Sequence, residues 1–214
     1  MDDLKRAAPV AEDETKITLG LLNAIEANSA VTQRSVASDL GIALGLANAY
    51  LKRCARTGLI KVQQVPANRY AYYLTPKGFA EKSRLTAEYL TISFNFFRNA
   101  RSACSDVFDE CLARGRRRIA LAGVGDLGEI ATLCASDTLV TLVGFYDPDS
   151  DRRRFAGLKV VDRLDDLPAF DAIVVTDFRR PQETFDRLVA QIGPDRVFAP
   201  ELLRVSRERP NMVE

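Results

Sequence analysis

The chain contains no histidine. That removes the commonest general acid/base, metal ligand and triad base at once, so hydrolase and zinc-enzyme chemistry lose their usual machinery. Lysine, tyrosine and carboxylate mechanisms stay open. Cysteine is sparse: Cys54, Cys104, Cys111 and Cys134 form no C-x-x-C pair. Neither a zinc knuckle nor a disulfide framework is expected, only reduced structural thiols and no bound metal. No apolar run approaches the roughly 18 residues that span a bilayer. The start, MDDLKRAAPVAEDETK, lacks the basic-then-apolar order of a secretion signal. A cytoplasmic protein without membrane contact is the expectation, and no residue is assigned a catalytic role.

What is present suits one large or two small folded domains: 214 residues, 47% of them hydrophobic. The net charge of +1 conceals a division. From Thr32 to Lys77 the cations Arg34, Lys52, Arg53, Arg56, Lys61, Arg69 and Lys77 face the single acid Asp39, whereas after Ile119 acids outnumber bases. The first segment attracts phosphate and the second repels it.

From Ile17, ITLGLLNAIEAN places Leu21, Leu22 and Ile25 at helical spacing. Thr32 can cap a second helix, QRSVASDL, which Gly41 stops. A third helix, about Leu44 to Thr57, buries Ala47, Leu51 and Cys54, presents Gly45, Asn48, Ala49, Lys52 and Arg53, and ends at Gly58. Two helices joined by a short glycine-containing turn form a helix-turn-helix. LIKVQQV and YAYYLT then flank the turn Pro66-Ala67-Asn68-Arg69, a hairpin wing. A winged helix is predicted, with double-stranded DNA as partner. Asn48 can form a paired hydrogen bond with an adenine edge. Arg34, Lys52, Arg53 and Arg69 suit phosphates or a minor groove. Thr32, Gln33, Gly45, Ala49 and Asn68 complete the expected interface.

The stretches ITLGLLNAIEAN, TQRSVASDLGIALGLANAYLKRCARTGLIKV and YAYYLTPKGFAEKSRLTAEYL resemble the winged-helix regulators of the MarR superfamily, closest to the exopolysaccharide-associated group. The resemblance runs from about Ile17 to Leu90 and rests on LTPKG-x-x-EK-x-RLT after the wing. It implies a transcription regulator. Where that family's recognition helix reads S-L-G-K, this chain has Ala43-Leu44-Gly45-Leu46, which implies a different target sequence.

Leu85, Tyr89, Ile92, Phe96, Ala100, Ala103, Val107 and Cys111 step by three or four residues, the seam of one long helix. Its expected use is dimerisation, supplying two recognition helices to a two-fold operator. The other reading is packing against its own C-terminal domain.

Beyond Arg116, the apolar runs IALAGV, LVTLVGFYD and DAIVVTD alternate with helical stretches and end in VFAPELLRV. That order predicts a small Rossmann-like parallel sheet. Its first turn, GVGDLG, matches G-x-G-x-x-G, with Asp147 standing 24 residues after Gly123. Gly123, Val124, Gly125, Asp126, Leu127, Gly128, Asp147 and Thr176 are the expected ligand residues, for NAD(H) or another nucleotide-like molecule. Against this stand Asp126, whose charge opposes a pyrophosphate, and glycine turns kept for packing alone. GVGDLGEI, GFYDPD, FAGLKVVDRLDDL and VFAPELL resemble the redox-sensing repressors of the Rex type, which join a winged helix to an NAD(H)-binding domain. The same sheet is similar to small nucleotide- or CoA-binding domains attached to sugar-modifying enzymes.

The predicted architecture is α/β overall: a tail at 1–15, a winged helix at 16–78, a connecting helix at 79–115, a Rossmann-like domain at 116–207 and a tail at 208–214. The expected function is a homodimeric repressor modulated by a nucleotide-like effector, and not an enzyme. The alternatives are a DNA-binding scaffold whose acidic loops around Asp149 and Asp165 hold a protein, and an NAD(P)-dependent oxidoreductase. The last lacks both a histidine and a Tyr-x-x-x-Lys beside the sheet.

Overall fold

The computed structural model describes residues 3–66 and 69–207, with side chains in the first helix from Glu14 onward. Asn68 and the tail at 208–214 lie outside the described residues. Contacts divide the chain into two compact units, Met1–Phe94 and Asn95–Glu214.

In the first unit, α1 (Asp3–Ala27) begins within the stretch expected to be a tail. Its Leu21, Leu22 and Ile25 form one wall of a core completed by Val36 of α2 (Gln33–Asp39), Ala47, Leu51 and Cys54 of α3 (Leu44–Arg56), and Leu85. Thr32 caps α2 through a reciprocal pair with Ser35, in place of the usual Glu or Gln. Antiparallel strands β1 (Ile60–Val65) and β2 (Arg69–Leu74) make the wing. It is fastened to the loop after α1 by the Tyr72 amide, which donates to the Ser29 carbonyl at 2.8 Å.

The stretch LTPKG now has a mechanical reading. Thr75 Oγ1 donates to the Gly58 carbonyl at 2.6 Å and accepts from the Gly78 amide at 3.0 Å, so it caps α4 (Pro76–Ala113) while holding the wing's root. Pro76 occupies the first turn, where its missing N–H costs nothing. Lys77 Nζ donates to the Thr57 carbonyl at 2.9 Å. A Cβ on Gly78 would lie 2.0 Å from the Leu59 oxygen, so only glycine fits.

The expected seam of α4 divides. Leu85 belongs to the first core, and Ala100, Val107 and Cys111, with Cys104 and Phe108, belong to the core of the second unit. Tyr89, Ile92 and Phe96 between them are exposed, as are Leu90, Phe94 and Phe97. Packing into the chain's own cores therefore accounts for both ends of the seam.

The second unit is a six-stranded sheet in the order β5-β6-β4-β3-β7-β8. It comprises β3 (Arg118–Ala122), β4 (Thr141–Tyr146), β5 (Arg154–Phe155), β6 (Leu158–Val161), β7 (Ala172–Val175) and β8 (Val197–Phe198). All neighbours are parallel except the edge hairpin β5–β6. Helices α5 (Asp126–Ala135) and α6 (Pro181–Ile192) accompany it. Every residue of β7 and all but the first of β3 are buried, as parallel strands covered on both faces require. The start of β3 is pinned to that of β7: Asp171 Oδ2 accepts from the amides of Arg117 and Arg118 at 2.9 and 2.8 Å, which holds its carboxyl below the ordinary range. Burial pushes the thiols of Cys104 and Cys111 up to about 12. All four cysteines are free and buried.

No described helix is long and apolar enough to cross a membrane, and no group of metal-ligating side chains occurs among the described residues.

Candidate nucleic-acid interface and C-terminal cleft

In the first unit the sequence-predicted residues separate into two sets. A cleft of about 830 Å³ opens between the start of α2 and the wing, and Thr32, Gln33, Arg34, Leu44, Val65, Pro66, Arg69, Tyr70 and Tyr72 line it. Arg34 and Arg69, distant in sequence, thus share one concave surface. The Thr32 hydroxyl there accepts from the Ser35 amide at 3.0 Å, so it orders the helix start.

The second set lies on α3. Ala47, Tyr50, Leu51 and Cys54 face inward, while Gly45, Ala49, Lys52 and Arg56 are exposed. Two expected contacts have surroundings that the sequence did not show. Arg53, about half exposed, forms a surface ion pair with Glu14 at 3.2 Å. Asn48 is half-buried, and its Oδ1 is shut off from solvent without a hydrogen-bond partner among the described residues. One of the two groups needed for an adenine pair is therefore turned inward. Arg56, counted in the basic segment but not among the expected interface residues, is exposed one turn beyond Lys52; the i,i+4 spacing was the available signal. At the start of α3, Ala43 makes no side-chain cap, and Leu46 is 41% exposed.

In the second unit, chain order reverses between β3 and β7, where doubly wound sheets place ligands beyond the carboxyl ends of the strands. A cleft of about 260 Å³ opens there, lined by Val124, Gly125, Asp126, Asp147, Asp149, Thr176, Asp177, Phe178, Arg179 and Arg180. Of the expected ligand residues, Val124, Gly125, Asp126, Asp147 and Thr176 come together in it, while Leu127 and Gly128 are buried in packing. Thr176 is buried, and its hydroxyl donates to the Gly123 carbonyl at 2.7 Å.

The three glycines of the turn have different reasons to exist. Gly123 has φ +108°, and a Cβ there would lie 2.6 Å from the Asp177 Cα. A Cβ on Gly128 would lie 2.7 Å from the Phe145 ring. Both are dictated by packing. Gly125 is extended, at φ 166°, and a Cβ there meets nothing among the described residues within 4 Å. The fold alone does not require it.

Asp147 is already engaged. Its Oδ2 accepts from the Val124 amide at 2.8 Å and its Oδ1 from the Asp149 amide at 3.1 Å. A carboxylate of the protein thus holds an N–H that a ligand phosphate would seek. Asp149 pairs with Arg180, and Asp177 accepts from the Thr184 hydroxyl at 2.8 Å. The expected NAD(H) does not fit. The four carboxylates Asp126, Asp147, Asp149 and Asp177 outnumber the cations Arg179 and Arg180 around it, and Asp147 already occupies the Val124 amide.

Residues 14–61 match the family model for winged helix-turn-helix DNA-binding domains. The first unit is a winged helix-turn-helix. No curated protein matches the chain. Among solved structures, the PcaV transcriptional regulator of Streptomyces coelicolor is 23% identical, covering 46% of this chain and 74% of that one with a TM-score of 0.38. The S. aureus MepR–DNA complex is 23% identical, covering 39% of this chain and 60% of that one, TM-score 0.34. Human N-acetylserotonin methyltransferase in complex with SAM is 11% identical, covering 93% of this chain and 80% of that one, TM-score 0.34. This last finding corrects the expectation that the chain is not an enzyme: a solved structure aligned along almost its whole length is a methyltransferase, so that expectation is withdrawn.

Proposed function

We propose that this protein is a sequence-specific transcription regulator of the MarR type, acting on double-stranded DNA by occupying an operator. The observation that carries the reading is the cleft in which Arg34 of α2 and Arg69 of the wing converge, beside a third helix that exposes Lys52 and Arg56. Cations spread over helix and wing suit the phosphates on either side of a groove.

Two copies act together in this reading. The exposed middle of α4, with Phe94 58% and Leu90 45% accessible, supplies an apolar surface for a second chain. Two recognition helices then meet two half-sites, and linked binding raises affinity without any new contact type.

The C-terminal cleft serves as the sensor. Gly125 leaves room for a ligand to approach the turn, and the excess of carboxylates over cations in the lining favours hydroxyls or a cationic group over phosphate. The fitting class is a nucleoside-like molecule without a pyrophosphate. It regulates only by binding one conformation more tightly; a difference of about 1–3 kcal/mol changes operator affinity roughly 5- to 150-fold.

The test is a selection of duplexes from a random pool with the full-length protein, followed by titration with adenosine, S-adenosylhomocysteine and NAD. Recovery of a consensus with two related half-sites is expected, with its affinity shifted by one of the first two compounds more than by NAD. Enrichment of no sequence overturns the regulator. Equal insensitivity to all three compounds overturns the sensor.

A further inference from the structure

We propose that the strand-start edge of the second unit holds the phosphate backbone of duplex DNA flanking the operator, through Arg116, Arg117, Arg118 and Arg196; this rests on the DNA-binding reading above and extends it. The run Arg114-Gly115-Arg116-Arg117-Arg118 leads directly into β3. Parallel pairing of β3 with β7, and of β7 with β8, sets that run beside segment 169–171 and Arg196, which precede the other two strands. Two of the guanidiniums are fixed there. Arg118 Nε donates to the Ala169 carbonyl at 2.7 Å. Arg196 donates through Nε to the Asp171 carbonyl at 3.1 Å and through Nη2 to the Phe170 carbonyl at 2.6 Å, with its carbon 4.8 Å from the centre of the Phe170 ring. Carbonyls and a ring are neutral partners, so these contacts hold the cations in place without cancelling their charge.

The edge also has more donors than its own acids can answer, since each guanidinium carries five N–H groups. Asp171 spends Oδ2 on the Arg117 and Arg118 amides, and Glu110 pairs with Arg114 at 2.7 Å. Asp195, beside Arg196 in sequence, is the remaining carboxylate of the stretch. Arg116 supplies an independent observation. It is half-buried, and its Nε is shut off from solvent without a hydrogen-bond partner among the described residues, a costly state for a donor that the fold alone would have to bear. Arg117 is exposed and makes no ion pair among the described residues.

Fixed cations spread along an edge suit successive phosphates of a polymer better than one small anion. The opposite edge of the same sheet carries Asp126, Asp147, Asp149 and Asp177 in its cleft, so the second unit offers phosphate one favourable side. A duplex is the polyanion that the first unit already engages in the reading above, and a second contact on one chain adds affinity through linkage.

The experiment uses the full-length protein and two duplexes, the shortest that retains the selected consensus and the same one lengthened by a helical turn, about 10 base pairs, at each end. For the wild type, lengthening should raise affinity about tenfold or more and steepen the fall of log affinity with log salt by about 2 to 3. Arg116→Gln/Arg117→Gln/Arg118→Gln should bind the short duplex as the wild type does and gain nothing from the longer one. Arg117→Gln alone, at a side chain without a described partner, should melt as the wild type does and lose about 1 from the slope on the long duplex only, which decides the matter if the triple variant unfolds. Equal gain from lengthening in all three proteins overturns the proposal, as does no gain in the wild type. Equal weakening on both duplexes in Arg117→Gln overturns the flanking contact. Loss of self-association in that variant, with binding to both duplexes intact, gives the edge to a second copy and also overturns it. Failure of the wild type to retain either duplex at low salt defeats the DNA-binding reading itself and this inference with it.

Discussion

Each unit carries a glycine that its own packing does not demand, Gly45 in the first and Gly125 in the second, but their surroundings are opposite in charge. Gly45 shares the outer face of α3 with Lys52, and its neighbour Leu44 lines the cleft that holds Arg34 and Arg69; around Gly125, Asp126, Asp147, Asp149 and Asp177 outnumber Arg179 and Arg180. The same device, a bare backbone, therefore suits different visitors. One surface favours a polyanion, and the other repels phosphate and already answers its own turn amide with Asp147. A near-neutral total charge concealed two local fields of opposite sign.

The largest expected effect tests which glycines belong to the fold. Gly123→Ala places a Cβ 2.6 Å from the Asp177 backbone at φ +108°. It should destabilise the second unit by about 3 kcal/mol or more. Gly125→Ala should stay within about 0.5 kcal/mol of wild type. Thermal or denaturant unfolding decides, and equal losses would erase the distinction. Next come the cations. Arg34→Ala and Arg69→Ala should each weaken binding to specific and random duplexes alike, lowering the slope of log affinity against log salt by about 1. An unchanged slope would remove that residue from the phosphate contacts. Smaller again is Thr75→Val, which should cost about 1 kcal/mol of first-unit stability by uncapping α4. A melting curve without change would assign the cap elsewhere.

The smallest effect at ordinary pH concerns Cys104 and Cys111. Their thiols, pushed by burial to about 12 from the usual 9.0, stay protonated in the folded chain while unfolded thiols ionise. The stabilisation is complete below pH 9, declines as pH rises from there and is gone above about 12. Alkylation at pH 8 should be slow in the native protein and fast in urea. Rapid native labelling would contradict the burial.

The helix-turn-helix was legible because its punctuation is local: Thr32 starts a helix, and Gly41 and Gly58, at φ +63° and +74°, stop two. The parallel strands were legible because a strand buried on both faces is continuously apolar. The beginning of α1 was not, since DLKRAAPVAEDETK has no clear apolar period. Nor was the β5–β6 hairpin, two and four residues long around Ala156 and Gly157, both at positive φ. At the candidate sites, residue type and spacing gathered Arg34 with Arg69 and Gly125 with Asp147. They could not reveal that Arg53 answers Glu14, or that Asp147 answers Val124, because both pairings cross distant parts of the chain.

Helix α4 carries a last consequence for anyone dividing this gene. It runs without a break from Pro76 to Ala113, yet Leu85 serves one core and Ala100 the other. The seam between the halves is thus a stretch of regular helix, and a fragment trimmed at the foot of the wing would lose Leu85 from the core it was meant to preserve. Expression boundaries for the first half belong after Phe94.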